Sequence, residues 1–274
     1  MSDGTGFRKL REWFDSGLLV RPSAQVPHFM DLVHALAALA GAEGMKHGPG
    51  AEEIRRMIGP ADHYLFVLVD GMGLHQLEHL PEKGFLRSSV AARLHALFPS
   101  TTATALTSLG TGVWPCVHGV PGWWTRLEEA GISAVTLPFL DRATESPLED
   151  RGVFAQEVFP VPSFWPELEN GALSILPAEI LDTTYSTYMC GNTPRIGYAG
   201  IADALEKARD AVLDAPEHRF TYLYLPQLDT LCHGKGTKDQ EVQDLLRALD
   251  QRLLRLCESV AGRARIVVSA DHGQ

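Results

Sequence analysis

Cysteine is scarce and scattered: Cys116, Cys190, Cys232 and Cys257 form no Cys-x-x-Cys pair. That spacing argues against a disulfide framework or a cysteine-built zinc site and predicts free thiols in a reducing compartment. No apolar run reaches the length of a membrane span, about 20 residues. The opening MSDGTGFRKLREWFDSGLL carries charges throughout and has no apolar core of signal-peptide length. Positive charge is in the minority, with 24 Lys and Arg against 34 Asp and Glu for a formal charge of -10. This balance argues against nucleic-acid polymers and membrane surfaces as partners. Internal repeats and low-complexity tracts are absent. The expectation is a soluble cytoplasmic protein, with nothing to fix its oligomeric state.

What is present is an ordinary globular composition, 274 residues at 45% hydrophobic and 21% charged. It suits one large α/β domain, or one domain carrying an insertion. The most informative stretch is Tyr64 to Gly73, YLFVLVDGMG. Leu65 to Val69 is an unbroken, β-branch-rich apolar run that predicts a parallel strand buried on both faces. Asp70-Gly71 follows directly, at the end of the strand where open α/β sheets gather ligands. The pattern returns where Arg265 to Ala270, predicted to be a second buried strand, runs into Asp271-His272-Gly273. Taken alone, Asp-Gly is an ordinary turn or helix cap, and His272 an ordinary loop histidine. Their joint occurrence with two further stretches, around Thr102 and around Asp229, is what points to a metal site.

Between these ends, helices are predicted from Pro27 to Gly44, over 51–59, from Gly73 to Leu80, from Tyr198 to Leu213 and from Lys238 to Val260. Phe220 to Leu225 is a third strand of the same kind. After it, Asp229 and His233 lie four apart, about one helical turn, so both side chains can reach one cation. An oxygen donor with an imidazole suits zinc or manganese better than calcium. Phe98-Pro99-Ser100-Thr101-Thr102 leads into a predicted helix from Ala103 to Leu109. One of the three hydroxyls is expected to cap it, and the same helix start favours negative charge. From Val113 to Ile196 the rhythm weakens in a proline-rich region with short strands at Ala134 to Leu137 and Leu173 to Leu176. About 113–197 is read as part sheet continuation and part cap or lid. Trp123 and Trp124 are expected to be buried beneath it, or else to stack a base or aryl group.

In order, Asp-Gly after a strand, Phe-Pro-x-x-Thr, Thr-Gly-x-x-Pro-x-x-His-Gly, Asp-x-x-x-His-Gly and Asp-His-Gly run from Asp70 to Gly273. This series resembles the alkaline phosphatase superfamily and, within it, the type I phosphodiesterase and nucleotide pyrophosphatase family. The resemblance implies a single domain with a three-layer α/β/α sandwich, a mostly parallel central sheet and an inserted cap. It implies a threonine nucleophile, Thr102, with Thr101 and Ser100 its nearest rivals, and a covalent phosphothreonine intermediate. It assigns Asp70, Asp271, His272 and the oxygen of Thr102 to one divalent cation, and Asp229 and His233 to a second. Zinc is expected, with manganese the alternative.

Two metals about 4 Å apart can clamp the attacking and departing oxygens of an in-line displacement, and a cation on the threonine oxygen replaces a general base. The expected partner is a small phosphorylated substrate. Two departures stand out. Ala105 occupies the place where the family's nucleotide pyrophosphatases carry an asparagine, and a further histidine that the family supplies to the second metal has no match before Gln274. The second, with the sequence ending inside a site loop just after a predicted strand, motivates the expectation that the C-terminal part of the domain is missing. The superfamily resemblance leaves a phosphomutase or a phosphonate hydrolase as alternatives, and the two departures favour a third, a non-catalytic metal-binding fragment.

Overall fold

The structure, a computed structural model, describes residues 5–19, 26–42, 45, 47–169, 171–215 and 219–274. Its backbone is a five-stranded, wholly parallel sheet built from β1 (His63–Val69), β5 (Ala172–Pro177), β6 (Arg195–Tyr198), β7 (Arg219–Leu225) and β8 (Arg265–Ser269), in the spatial order β6-β5-β7-β1-β8. A smaller antiparallel sheet holds β2 (Trp124–Leu127), β3 (Ile132–Val135) and β4 (Leu140–Asp141).

Strand alternation divides the interior in two. Tyr64, Phe66 and Leu68 of β1, with Phe220, Tyr222 and Tyr224 of β7, face one core, covered by the helices Phe29–Leu39 and Thr102–Thr111. Leu65, Val67 and Val69, with Leu223 and Leu225, face the other, covered by the helices Ile201–Leu213 and Gln240–Ser259. Helices on both faces of a parallel sheet make three layers, the α/β/α sandwich that the sequence predicts. Every residue of β1 is buried. At about 1.5–3 kcal/mol for each large apolar side chain, this strand anchors both cores.

The order β7-β1-β8 matters most for function. All three strands run the same way, so their carboxyl ends emerge side by side, with β1 in the middle. Groups that follow strands 63–69, 219–225 and 265–269 are therefore delivered to one end of the sheet.

Some expectations are corrected. β8 is not buried on both faces: it is the sheet edge, exposed or half-buried along its length. Its outer side borders an apolar groove of about 570 Å³ lined by Phe29, Ile54, Leu94 and Val267 among others. The helix predicted from Tyr198 begins at Ile201, because the residues before it form β6. Gly73 to Leu80 contains only one helical turn, Leu74–Leu77. Within 113–197, β5 and β6 extend the central sheet, whereas β2, β3 and β4 form the separate one. The predicted strand at Ala134 is β3, in that smaller sheet. Gly44, the predicted end of the first of these helices, lies outside the described residues. Among the described residues no helix is long and apolar enough to cross a membrane.

Candidate metal and phosphoryl-transfer site

Asp70 follows β1, and Asp271 and His272 follow β8. Among the described residues these three form the only group of three or more His, Cys, Asp or Glu side chains close enough to share an ion. Asp70 and Asp271 are both 2% exposed. His272 Nε2 lies 3.4 Å from Asp70 Oδ1 and 3.6 Å from Asp271 Oδ2.

The hydrogen bonds around the cluster leave one atom of each residue free to face inward. Asp271 Oδ1 accepts from the backbone N–H of Gly71 at 3.1 Å and of His272 at 2.9 Å, while Oδ2 is buried with no partner. Asp70 Oδ2 accepts from the phenol of Tyr224 at 2.5 Å, leaving Oδ1 turned toward His272. His272 Nδ1 is 3.1 Å from the carbonyl of Gly273, which fixes the ring so that Nε2 points into the cluster.

The electrostatics fit a cation. Burial, and after it the charge of Asp271, pushes Asp70 up to about 8, and burial pushes Asp271 up to about 6. Two carboxylates taken out of water beside each other disfavour double ionisation unless positive charge is supplied. An orphaned buried carboxylate oxygen, a second carboxylate oxygen and an imidazole nitrogen form an N,O donor set of the kind zinc or manganese takes.

Thr102 is the first residue of the helix Thr102–Thr111, and its Oγ1 reaches this cluster. It lies 3.0 Å from His272 Nε2 and 3.3 Å and 3.4 Å from the two oxygens of Asp70. Its rivals are placed differently. Thr101 is the N-cap by backbone geometry but makes no side-chain cap bond, and its methyl faces Gly122. Ser100 is exposed. The first N–H groups of the helix, at whose start Thr102 stands, have no intrahelical acceptor.

Asp229 and His233 stand one turn apart on the helix Gln227–Lys235, with His233 Nε2 3.3 Å from Asp229 Oδ2. They adjoin the first cluster: a methyl group on Gly71 would come within 2.8 Å of Asp229 Oδ1. Gly71 also has φ +68, so glycine is required twice over. His233 is well exposed, and Asp229 Oδ1 also accepts from the side-chain amide of Gln274. All six sequence-predicted site residues therefore gather at one end of the sheet, as four around Asp70 and an adjoining pair.

Neighbouring residues clarify the rest. Ala105 is buried in the core. His118 is fully buried, bonded to Ser108 and to the Val120 N–H, and belongs to the scaffold. Lys235 pairs with Glu241 at 2.9 Å. Trp123 and Trp124 are not buried beneath a cap: both are exposed, with Arg142 4.1 Å over the Trp124 ring. Tyr224 is the contact that sequence reasoning missed. Its one signal is a phenol among apolar residues near the end of a buried strand.

A model of the type I phosphodiesterase/nucleotide pyrophosphatase family matches residues 64–274. A comparison with curated proteins returns no match. Among solved structures, the chain is similar to an inactive threonine-to-alanine variant of murine ectonucleotide pyrophosphatase/phosphodiesterase 5 in complex with AMP, with 15% identity and a TM-score of 0.56 over 77% of this chain and 56% of that one. The human ectonucleotide pyrophosphatase/phosphodiesterase 5 is similar at 14% identity and a TM-score of 0.54, over 77% and 56%. Phosphonoacetate hydrolase from Sinorhizobium meliloti 1021, in complex with phosphonoformate, is similar at 15% identity and a TM-score of 0.54, over 76% and 55%. The chain thus spans little more than half the length of these neighbours. At such identities the likeness establishes the fold alone.

Proposed function

The chain belongs to the type I phosphodiesterase/nucleotide pyrophosphatase family, and from that premise we propose that it is a metal-dependent phosphoryl-transfer hydrolase with Thr102 as nucleophile. The observation that carries this reading is the position of Thr102 Oγ1, at a helix start and 3.0 Å from His272 Nε2. The substrate is a small phosphodiester or nucleotide pyrophosphate.

Asp70 Oδ1, Asp271 Oδ2 and His272 Nε2, with Thr102 Oγ1, would hold one divalent cation, and Asp229 with His233 would hold a second. Zinc is the ion this donor set favours, with manganese the alternative. When bound, the cations supply a lowered pKa for the threonine hydroxyl and for water, and neutralise charge on the phosphoryl oxygens.

Thr102 Oγ1 would attack phosphorus: the new O–P bond forms as the bond from phosphorus to the leaving oxygen breaks, and the threonine proton departs with that oxygen, giving a phosphothreonine. Water would then attack phosphorus, its oxygen and one proton leaving with the phosphoryl group while the other proton restores the Thr102 hydroxyl. The free N–H groups at the start of the Thr102–Thr111 helix stabilise the phosphoryl oxygens throughout. Ala105 offers no donor, which would remove about 3 kcal/mol of transition-state stabilisation where an amide would otherwise act. This observation favours a second reading, a phosphonate hydrolase or phosphomutase that handles a smaller phosphoryl group.

Turnover of bis(4-nitrophenyl) phosphate, 4-nitrophenyl phosphate and phosphonoacetate with added Zn2+ or Mn2+ tests the choice. Diester hydrolysis above the other two supports the main reading. Phosphonoacetate cleavage supports the second. Loss of none of the three activities on Thr102→Ala would sink both.

A further inference from the structure

Asp70 has two carboxylate oxygens, and the fold treats them differently. Oδ2 accepts the phenol proton of Tyr224 at 2.5 Å. Tyr224 stands on β7 opposite Leu68 of β1, near the end of the strand, so its side chain reaches Asp70 from inside the sheet layer. Oδ1 lies 3.4 Å from His272 Nε2 and 3.3 Å from Thr102 Oγ1. Thr102 Oγ1 also comes within 3.4 Å of Oδ2, but that oxygen has its strong donor in the phenol.

We propose that Tyr224 is the positioning residue of the cation site: by holding Asp70 Oδ2 it restricts Asp70 to one ligand oxygen, Oδ1, and aims that oxygen at Asp271, His272 and Thr102. The inference rests on reading Asp70, Asp271 and His272 as cation ligands. Three further observations carry it. Tyr224 is 6% exposed and stacks on Tyr222, ring centroids 6.4 Å apart at 18°, so the phenol has little freedom to turn away. Asp271 is fixed in the same manner, with Oδ1 held by two backbone N–H groups and Oδ2 left over. The cluster thus repeats one device, in which a donor takes one carboxylate oxygen and the other faces inward. A donor that orients a ligand also lowers the reorganisation needed when an ion enters, and its removal typically weakens metal binding by about 10- to 100-fold.

Tyr222 provides the control within the same strand and the same ring stack. Its hydroxyl is buried and has no partner among the described residues. Isothermal titration of Zn2+ alone, and of Mn2+ alone, into the wild type, Tyr224→Phe and Tyr222→Phe reads the proposal without turnover, with metal-free melting curves alongside. The expected result is a Kd raised about tenfold or more in Tyr224→Phe, an unchanged Kd in Tyr222→Phe, and cooperative metal-free melting in both.

Equal affinity in wild type and Tyr224→Phe would overturn the proposal. So would equal weakening in both variants, or a Tyr224→Phe chain that fails to fold where Tyr222→Phe folds, since the phenol would then serve packing. A wild type that binds neither ion would instead bring down the underlying cation reading, and this inference with it.

Discussion

Gly73 and Gly273 meet backbone to backbone: a methyl group on Gly73 would lie 2.8 Å from the Cα of Gly273 and 3.0 Å from His75 Nδ1. The contact joins the loop after β1 to the loop after β8, and so sets the spacing of Asp70 from Asp271 and His272. The obstacle is main chain and cannot swing aside as a flexible side chain would. Gly73→Ala is expected to cost about 1–3 kcal/mol as an overpacked contact and to displace His272. Metal titration should therefore show a larger loss than the melting temperature does, and turnover should fall at least about tenfold.

The hydroxyls at the start of the Thr102–Thr111 helix make a sharper test, because Thr101 and Thr102 are adjacent but only Thr102 Oγ1 enters the cluster. Thr102→Ala is expected to abolish phosphoryl transfer, a loss of about 10³-fold or more for a nucleophile. Thr101→Ala is expected to retain most of it. Since Thr101 makes no side-chain cap bond, its replacement should also cost less than the ~1 kcal/mol of a working cap. Activity assays and melting curves on the two variants read both expectations.

Much of this site is legible in the chain because parallel strands convert sequence order into spatial position. A buried strand followed by Asp-Gly or Asp-His-Gly announces where its last side chain will lie, and Asp70, Asp271 and His272 come together accordingly. The four-residue spacing of Asp229 and His233 likewise survives as one turn of helix. Tyr224 was not legible as a partner of Asp70, because that contact depends on β7 lying next to β1, a neighbour relationship no local pattern encodes. The exposure of β8 escaped for the same reason: Ile266, Val267 and Val268 read as a buried strand whether or not a neighbour covers them. Of the two readings of the tryptophan pair only burial fails: both rings are exposed, and Arg142 stacked on Trp124 offsets part of that exposure.

Ion binding should be visible in stability. The buried, unpartnered Oδ2 of Asp271 and the crowded carboxylate of Asp70 disfavour the metal-free fold, so a cation that fits should raise the melting temperature. At a free ion concentration 100 times Kd the gain is about 2.7 kcal/mol. Asp271→Asn, which keeps the shape but removes the charge, is expected to melt higher than the wild type without metal and to lose most of the rise on adding Zn2+ or Mn2+. Chelation of the wild type should return it to the metal-free curve.

Acid should weaken the scaffold around Thr102 through His118. Its Nδ1 accepts the N–H of Val120 at 3.1 Å, a backbone group that can only donate, so the ring proton resides on Nε2 and is given to Ser108 Oγ at 2.9 Å. Protonation would set two donors against each other at Nδ1. Burial lowers the imidazole from 6.5 to about 4. The unfolded chain therefore binds more protons than the folded one between about pH 6.5 and pH 4, and the contribution of His118 is complete above that window and lost as pH falls through it. His63, buried at the start of β1 and also lowered to about 4, acts in the same direction. Asp70 and Asp271, raised by burial, act in the opposite direction but are common to both proteins. His118→Gln removes one of the two histidines that weaken the fold in acid, so its denaturation midpoint should fall less, or rise more, from pH 7 to pH 5 than that of the wild type, although it starts lower at pH 7 for want of the buried bonds. The loop His118 secures carries Val120, whose carbonyl accepts from Thr104, and Gly122, which packs on Thr101. Turnover at pH 7 should fall in the variant even with the proposed cation ligands intact, and titration with Zn2+ or Mn2+ should show an affinity unchanged from the wild type.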